Sequence, residues 1–206
     1  MSMNEDMLTT IPDVKNLTYE QMNIIAKFQR LWIQVALWMR TFFKSTLEDS
    51  KDLPAVTARL FEIPADSYNA VRPYFSEEVS QQFYNIIYGL INTNYELVNA
   101  YKNNDTAAID ASTVKWYQGA SEFAAFLASV NKFWDEALWN SLLFKYGQLK
   151  IQEIIAYYTG NYENEIKIYD SLEDTAALIA NYMARGIIAM NEASQRTHYS
   201  RKESFK

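Results

Sequence analysis

Apolar residues recur at steps of three and four over most of the chain, which is the period of an α-helix with one buried face. The four Pro all precede Tyr74, and only five Gly occur in the 206 residues, so little interrupts long helices beyond that point. The pattern therefore predicts an all-α, single-domain bundle of five long helices. The predicted helices run from about Tyr19 to Glu48, Ser76 to Tyr101, Asn104 or Asp105 to Val130, Asn131 to Tyr158 and Asn161 to Asn191.

Capping residues mark several predicted helix ends. Thr18 is followed three residues later by Gln21, the spacing of a capping box at a helix start. Ser76 precedes two acidic residues, which suit the positive end of the helix dipole. Gly160 is expected to adopt the left-handed conformation that ends a helix, and Asn161 to cap the next one.

Two segments interrupt or flank the predicted bundle. Residues 49–75 carry three of the four Pro, which allows short helical turns but not a long helix. Residues 1–193 are predicted to form the bundle domain, with 1–17 as an N-terminal extension. Residues 194–206 are basic and poor in apolar side chains, which predicts a disordered tail. Such a tail either solubilises the chain end or docks an acidic partner.

The last predicted helix shows an unbroken apolar stripe. Its members are Ile166, Tyr169, Glu173, Ala176, Ala180, Met183, Ile187 and Met190. Glu173 is the only carboxylate in this stripe. It is expected to lie at a frayed edge or to be paired with a group inside the bundle.

A motif occurs twice and suggests a duplicated hairpin. Leu31-Trp32 and Ala36-Leu37-Trp38 are echoed by Phe133-Trp134 and Ala137-Leu138-Trp139. Each copy is followed by a Tyr, a Ser, acidic residues and a Gly, namely Tyr74, Ser76, Glu77, Glu78 and Gly89, and then Tyr169, Ser171, Glu173, Asp174 and Gly186. The repetition predicts two hairpins related by a pseudo-twofold axis, with any site between them.

Composition narrows the classes of function. The formal net charge of −6 disfavours nucleic-acid binding, which depends on clustered Lys and Arg. The chain has no Cys, which excludes disulfides and thiolate chemistry. No basic and apolar leader and no apolar stretch of membrane-spanning length occurs, so a cytoplasmic location without a membrane span is expected. Charged residues make up only 21%, which suggests that a partner covers some apolar surface.

Residues spread over 30–190 carry a resemblance to known proteins. They include Trp32, Trp38, Arg40, Arg59-Leu60, Asp66, Pro73-Tyr74, Glu96-Leu97-Val98, Trp116-Tyr117, Ala124-Ala125-Phe126-Leu127, Asn131, Trp134, Asn161-Tyr162, Ile166, Tyr169-Asp170, Glu173 and Gly186-Ile187. In order and spacing this set resembles a small uncharacterised bacterial family of helical-bundle proteins. Some members carry the label acetylglutamate kinase.

The resemblance implies a metal site in the relatives, built from His and acidic residues of four helices. The corresponding positions here are Val35, Gly89, Leu90, Phe144, Tyr146, Leu178 and Asn181, while Asp170 and Glu173 remain acidic. The expectation for this chain is therefore no metal and no cofactor.

The candidates for catalysis are weak. The five Gly are isolated and form no phosphate-binding loop, so an acetylglutamate kinase activity is not expected. The only His is His198, in the predicted tail. Asp170 and Glu173 lie three apart on one helical face, where two carboxylates either share an ion or form a solvated surface.

The aromatic residues support two hypotheses of function. Fifteen Tyr, with a low charged fraction, suggest a non-enzymatic structural or interaction protein that forms a homo-oligomer through Tyr- and Asn-rich helix faces. The alternative is binding of a small apolar or metal ligand between the hairpins, although aromatics at helical spacing are also typical of a core. Its candidate residues are Trp32, Trp38, Trp134, Tyr146, Asp170 and Glu173. A third hypothesis is an adaptor that acts through residues 194–206.

Overall fold

The computed structural model describes residues 17–203, with side chains described as far as residue 196. The described residues are helical and contain no strand, which confirms the all-α prediction. Within this range the helices are α1 Tyr19–Leu47, α2 Leu53–Leu60, α3 Ile63–Val71, α4 Glu77–Lys102, α5 Thr106–Val130, α6 Glu136–Tyr158 and α7 Tyr162–Glu203. Helices α2 and α3 are the short helical turns predicted in the proline-containing segment.

Most of the predicted caps are confirmed. The Gln21 amide donates to Thr18 Oγ1 at 3.2 Å and the Thr18 amide to Gln21 Oε1 at 2.9 Å, which completes the capping box. Ser76 and Asp105 cap α4 and α5, and Gly160 has a φ of +76°. These ends follow from local chemistry, which is why the sequence predicts them.

The predicted start of the fourth long helix at Asn131 is wrong. Asn131 has extended backbone angles and ends α5, and its Oδ1 accepts from the Phe133 amide at 3.0 Å. Helix α6 begins at Glu136, where Asp135 Oδ1 accepts from the Leu138 amide at 2.8 Å. The side chains of Asn131 and Asp135 both suit an N-cap. The helix begins only after Asp135, because the chain first forms a turn that brings Trp134 into the core.

Helix α7 also extends past its predicted end near Asn191, as far as Glu203. It therefore includes part of the segment 194–206 that the sequence predicts as a disordered basic tail. The side chain of His198 and residues 204–206 lie outside the described part, as do residues 1–16 of the predicted N-terminal extension.

The long helices pack in a ring in which consecutive helices are neighbours. Helix α4 packs against α5, α5 against α6, and α6 against α7, while α1 closes the ring by packing against α7 and α4. Helix α2 packs against α1, and α3 packs against both α1 and α4. This arrangement buries one continuous apolar core to which every long helix contributes apolar side chains.

Three polar contacts show that α1 and α7 run in opposite directions. Gln21 bonds to Glu192 at 2.8 Å, Gln29 to Asn181 at 2.9 Å, and Arg40 to Glu165 at 2.7 Å. The residue numbers rise along α1 as they fall along α7. The core therefore lies beneath a row of polar pairs at the α1–α7 boundary.

Two glycines of this core accommodate indole rings. A Cβ at Gly147 of α6 would lie 2.0 Å from Nε1 of Trp116, and a Cβ at Gly186 of α7 would lie 1.9 Å from Nε1 of Trp134. Both tryptophans are buried. Each ring lies directly against a helix backbone, which only a residue without a side chain allows.

The two copies of the repeated motif occupy different places in their helices. Trp32 and Trp38 lie in the middle of α1, whereas Trp134 precedes α6 and Trp139 lies in its first turn. Ser76 caps α4, but Ser171 lies inside α7. The pseudo-twofold relation of the hairpins stays a prediction. No helix of the described part is both long and apolar enough to cross a membrane.

Candidate functional site

An apolar cavity of about 40 Å³ lies inside the bundle. Six helices line it: α1 with Leu31, Trp32, Val35 and Met39, α3 with Ser67 and Val71, α4 with Phe83, Ile87, Leu90 and Ile91, α5 with Trp116, Ala120 and Phe123, α6 with Leu143 and Tyr146, and α7 with Met183. Each helix presents the apolar stripe that faces the core, and the stripes do not fill the space where they meet.

Almost all the polar atoms near the cavity are turned away from it. Ser67 donates its hydroxyl to the Ile63 carbonyl at 3.0 Å, and the Tyr146 hydroxyl lies 3.8 Å from the Met39 sulfur. Trp32 packs edge-on against Tyr146, with ring centroids 6.0 Å apart. The wall is predominantly apolar, and of its lining residues Trp32 and Trp116 carry buried indole Nε1 groups that have no hydrogen-bond partner.

The structure brings together only two of the six predicted ligand-binding residues. Trp32 and Tyr146 line the cavity. Trp134 is buried elsewhere, between Phe75 and Trp139, with centroids 5.8 and 5.7 Å away. Trp38 is partly buried beneath the Arg59 guanidinium, 5.2 Å from the ring centroid. Helical spacing predicts which face of a helix a residue occupies. It does not predict at which level along the bundle that face borders a cavity.

The predicted polar anchors are wrong in place. Asp170 and Glu173 are exposed on α7, away from the cavity, as expected for the solvated face that the sequence also allowed for this pair. The first turns of α7 bury Glu165 and Leu172 instead, and Ile166 is 52% exposed. Of the predicted seam, Ala176, Ala180, Met183 and Ile187 are buried and Tyr169 packs against the core, whereas Ile166 and Glu173 are exposed.

Some positions at which the resemblance predicts His or acidic residues in the relatives lie at the cavity. Val35, Leu90 and Tyr146 line it, whereas Phe144 is exposed. Among the described residues no group of three or more acidic or His side chains is arranged to hold a metal ion.

A buried cluster of charged groups lies beside the cavity and was missed by the sequence analysis. Lys150 and Glu153 are 1% and 0% exposed, and Lys150 Nζ donates to Glu153 Oε2 at 2.6 Å. Arg40 donates Nε and Nη2 to the two oxygens of Glu165 at 2.7 and 3.0 Å. Arg40 Nε also lies 3.4 Å from Glu153 Oε1, so the cluster joins α1, α6 and α7.

Burial and pairing act in opposite directions on these groups. Burial lowers the pKa of the Lys150 ammonium, and the charge of Glu153 opposes that shift. Burial likewise raises the pKa of Glu153, against the effect of Lys150. The hydrogen bond from Arg40 to Glu165 raises the pKa of the guanidinium. Two cations and two carboxylates give a neutral cluster, which is the arrangement that buried charges require.

This cluster is placed to join helices rather than to react. Lys150 is fully buried, bonded to Glu153, and does not line the cavity. A signal for it exists in the sequence, because Lys150 and Glu153 continue the three- and four-residue steps of Tyr146 and Tyr157 along α6. Charged residues at core positions of a helix indicate a buried pair, but the partner helix becomes known only from the fold.

A polar groove of about 760 Å³ runs along the outer side of α4 and α5. Its walls carry neutral amides, carboxylates and one Lys, and its floor carries two Gly and two apolar residues. The lining residues are Glu78, Gln81, Gln82, Asn85, Ile86, Gly89, Leu90, Thr93, Lys115, Gln118, Gly119 and Glu122.

A third surface, the aromatic face, consists of Phe61, Tyr84, Tyr88 and Tyr95. Tyr84 stacks on Tyr88 with centroids 6.3 Å apart, and Phe61 lies 5.8 Å from Tyr88 and 5.7 Å from Tyr95. Tyr88 and Tyr95 are 45% and 37% exposed. Elsewhere in the bundle, Tyr158 and Tyr162 are exposed, whereas Tyr157 and Tyr182 belong to the core.

No protein-family model matches this chain, and neither a curated protein nor a solved structure is significantly similar to it. The resemblance described above stays a prediction.

Proposed function

We propose that the protein binds a small apolar molecule in the cavity between α1, α4, α5 and α6. The observation that carries the proposal is the apolar space at the meeting point of six helices, beside Trp32 and Tyr146. A void of this kind leaves its lining atoms without partners, so an apolar guest gains dispersion contacts there.

The size of the cavity sets the class of ligand. Its 40 Å³ is about a quarter of the roughly 150 Å³ that accommodates benzene in an engineered protein cavity. The space in this conformation therefore suits a single heavy atom or a short alkyl chain rather than a ring. A charged ligand would find no compensating charged side chain among the lining residues.

Xenon NMR tests this proposal directly, because xenon is apolar and compact. We expect a bound xenon signal that saturates with pressure, together with chemical-shift changes confined to residues that line the cavity. The variant Val35→Ile fills part of the space and should weaken xenon binding. Val98→Ile is the matched control, because Val98 is fully buried but does not line the cavity. Absence of saturable xenon binding in the wild type would contradict the proposal.

A second candidate function is self-association through the aromatic face, by contact with a second copy of the chain. It is supported by the stacked and partly exposed rings of Phe61, Tyr84, Tyr88 and Tyr95. Tyr is enriched at protein interfaces, because its ring is apolar and its hydroxyl can stay hydrated.

Sedimentation velocity over a wide concentration range tests self-association. We expect the wild type to form a discrete oligomer and Tyr88→Glu to shift it toward monomer, because a charge would be buried in the contact. Val114→Glu is the control, since Val114 is 57% exposed on α5, outside the aromatic face. A wild-type monomer at every concentration would refute this second function.

Three further properties of the protein, namely the origin of its hairpins, the absence of nucleic-acid binding and its location, also remain proposals. The repeated Trp motif supports a duplicated-hairpin origin, and the net charge of −6 supports the absence of nucleic-acid binding. The cytoplasmic location rests on the sequence alone.

A further inference from the structure

The outer groove and the inner cavity share one wall residue. Leu90 lines both spaces, and its side chain is only partly buried. On α5 two consecutive residues face different spaces, since Gly119 lines the groove and Ala120 lines the cavity. At this point the two spaces are therefore separated by little more than one leucine side chain.

The space around Leu90 results from two glycines. A Cβ at Gly119 would lie 3.0 Å from Leu90 Cδ2, so any side chain there would press on the leucine. A Cβ at Gly89 would meet nothing within 4 Å, which leaves the floor of the groove open beside Leu90. Leu90 is half-buried, and neither glycine presents a side chain that would oppose a change of its rotamer.

The groove itself offers hydrogen bonds but little net charge. Gln81, Gln82, Asn85 and Gln118 present carboxamides, which both donate and accept. Lys115 is paired with Glu96 at 2.8 Å. Glu78 and Glu122 are exposed in the lining and disfavour an anion.

Resting on the proposed function, we propose that this groove is the entrance to the cavity, with Leu90 as the movable barrier. The structure assigns the ligand to a class of elongated amphipathic molecules with a neutral hydrogen-bonding head and a short unbranched apolar tail. The head lies among the carboxamides of the groove, and the tail passes Leu90 into the cavity. When Leu90 turns aside, the space that it leaves adds to the cavity and admits the tail.

Two measurements on the full chain test the barrier and the head group separately. The first is the exchange rate of bound xenon in the wild type and in Leu90→Ala. We expect Leu90→Ala to raise that rate by about tenfold or more, because it removes the side chain that must move. The second is the affinity for hexanamide and for hexanoate, measured by calorimetry. Hexanoate should bind about tenfold more weakly, because the groove presents carboxylates to its charge.

Gly89→Phe blocks the groove without touching the cavity, because a side chain there meets only open space. This variant should lose hexanamide binding and keep the equilibrium affinity for xenon. Val114→Phe is the control, since it places the same ring on an exposed part of α5 outside the groove.

The possible results separate the two proposals. If xenon does not bind, the proposed function fails and the entrance fails with it. If xenon binds but Leu90→Ala leaves its exchange unchanged, or Gly89→Phe leaves hexanamide binding unchanged, the cavity stands and the entrance is refuted. Equal affinity for hexanamide and hexanoate would refute the neutral head group.

Discussion

Replacing Gly147 by Ala should destabilise the protein, although Ala is the better helix former. The added Cβ would lie 2.0 Å from Nε1 and 2.6 Å from Cδ1 of Trp116, whereas carbon atoms in contact are roughly 3.5–4.0 Å apart. Trp116 is buried, so the indole must leave its position or α5 and α6 must separate. Neither adjustment involves the flexible end of a side chain.

The magnitude follows from two opposing effects. Overpacking a core costs about 1–3 kcal/mol, and displacing a buried Trp approaches the 3–5 kcal/mol of its truncation. The higher helix propensity of Ala returns about 1 kcal/mol. We therefore expect Gly147→Ala to lower the free energy of unfolding by about 2–4 kcal/mol. Gly186→Ala should behave alike, because its Cβ would lie 1.9 Å from Nε1 of Trp134.

Urea unfolding followed by far-ultraviolet circular dichroism measures these changes. Gly89→Ala is the matched control, because Gly89 is also helical but its Cβ would meet nothing within 4 Å. It should stabilise the protein by about 0.5–1 kcal/mol. The double variant Gly147→Ala/Trp116→Phe should be more stable than the sum of the single changes, because the smaller ring relieves the clash. A Gly147→Ala protein at least as stable as the wild type would refute the close packing of this indole.

Three further predictions concern the core. Lys150→Met should destabilise the protein by about 3–5 kcal/mol in urea unfolding, because Glu153 stays buried as a charge. The double variant Lys150→Met/Glu153→Leu should be about as stable as the wild type. Equal losses of stability in both variants would contradict this prediction. Burial raises the pKa of Tyr146 well above 10.0, so the unfolded chain ionises first and stability falls as the pH rises above 10.0. Unfolding between pH 8 and 11 should show a shallower fall for Tyr146→Phe, by up to about 1.4 kcal/mol per pH unit, and an unchanged slope would refute the burial. Val35→Ile should raise the free energy of unfolding by about 0.5–1 kcal/mol because it fills part of the cavity, whereas Val98→Ile should lower it. Differential scanning calorimetry measures both changes, and the opposite order of stability would contradict this prediction.

Helix ends were the most predictable part of the fold. Thr18, Ser76 and Gly160 act on backbone groups within three or four residues of themselves, so their role is visible in the local sequence. Asn131 shows the limit of such reasoning. Its side chain suits an N-cap, yet the chain continues in a turn that allows Trp134 to reach the core.

The candidate site was less predictable than the helices. Periodicity placed Trp32 and Tyr146 on core faces, and the structure places both at the cavity. It also placed Glu173 in the predicted seam, although that side chain is exposed to solvent, while Glu165, about two turns earlier, is buried against Arg40. A carboxylate is buried only if a partner from another helix meets it, and that meeting is not encoded in the spacing along one helix.

The all-α class, the positions of most helix ends and the apolar character of the interior can be predicted from the amino-acid sequence. These properties depend on hydrophobic period, capping side chains and the placement of Pro and Gly, all of which act over a few residues. The position of the cavity, the pairing of the buried charges and the place of Leu90 between the cavity and the groove follow from the packing of the helices. These features depend on how side chains from several helices fill a shared volume, and that volume exists only once the helices have packed together.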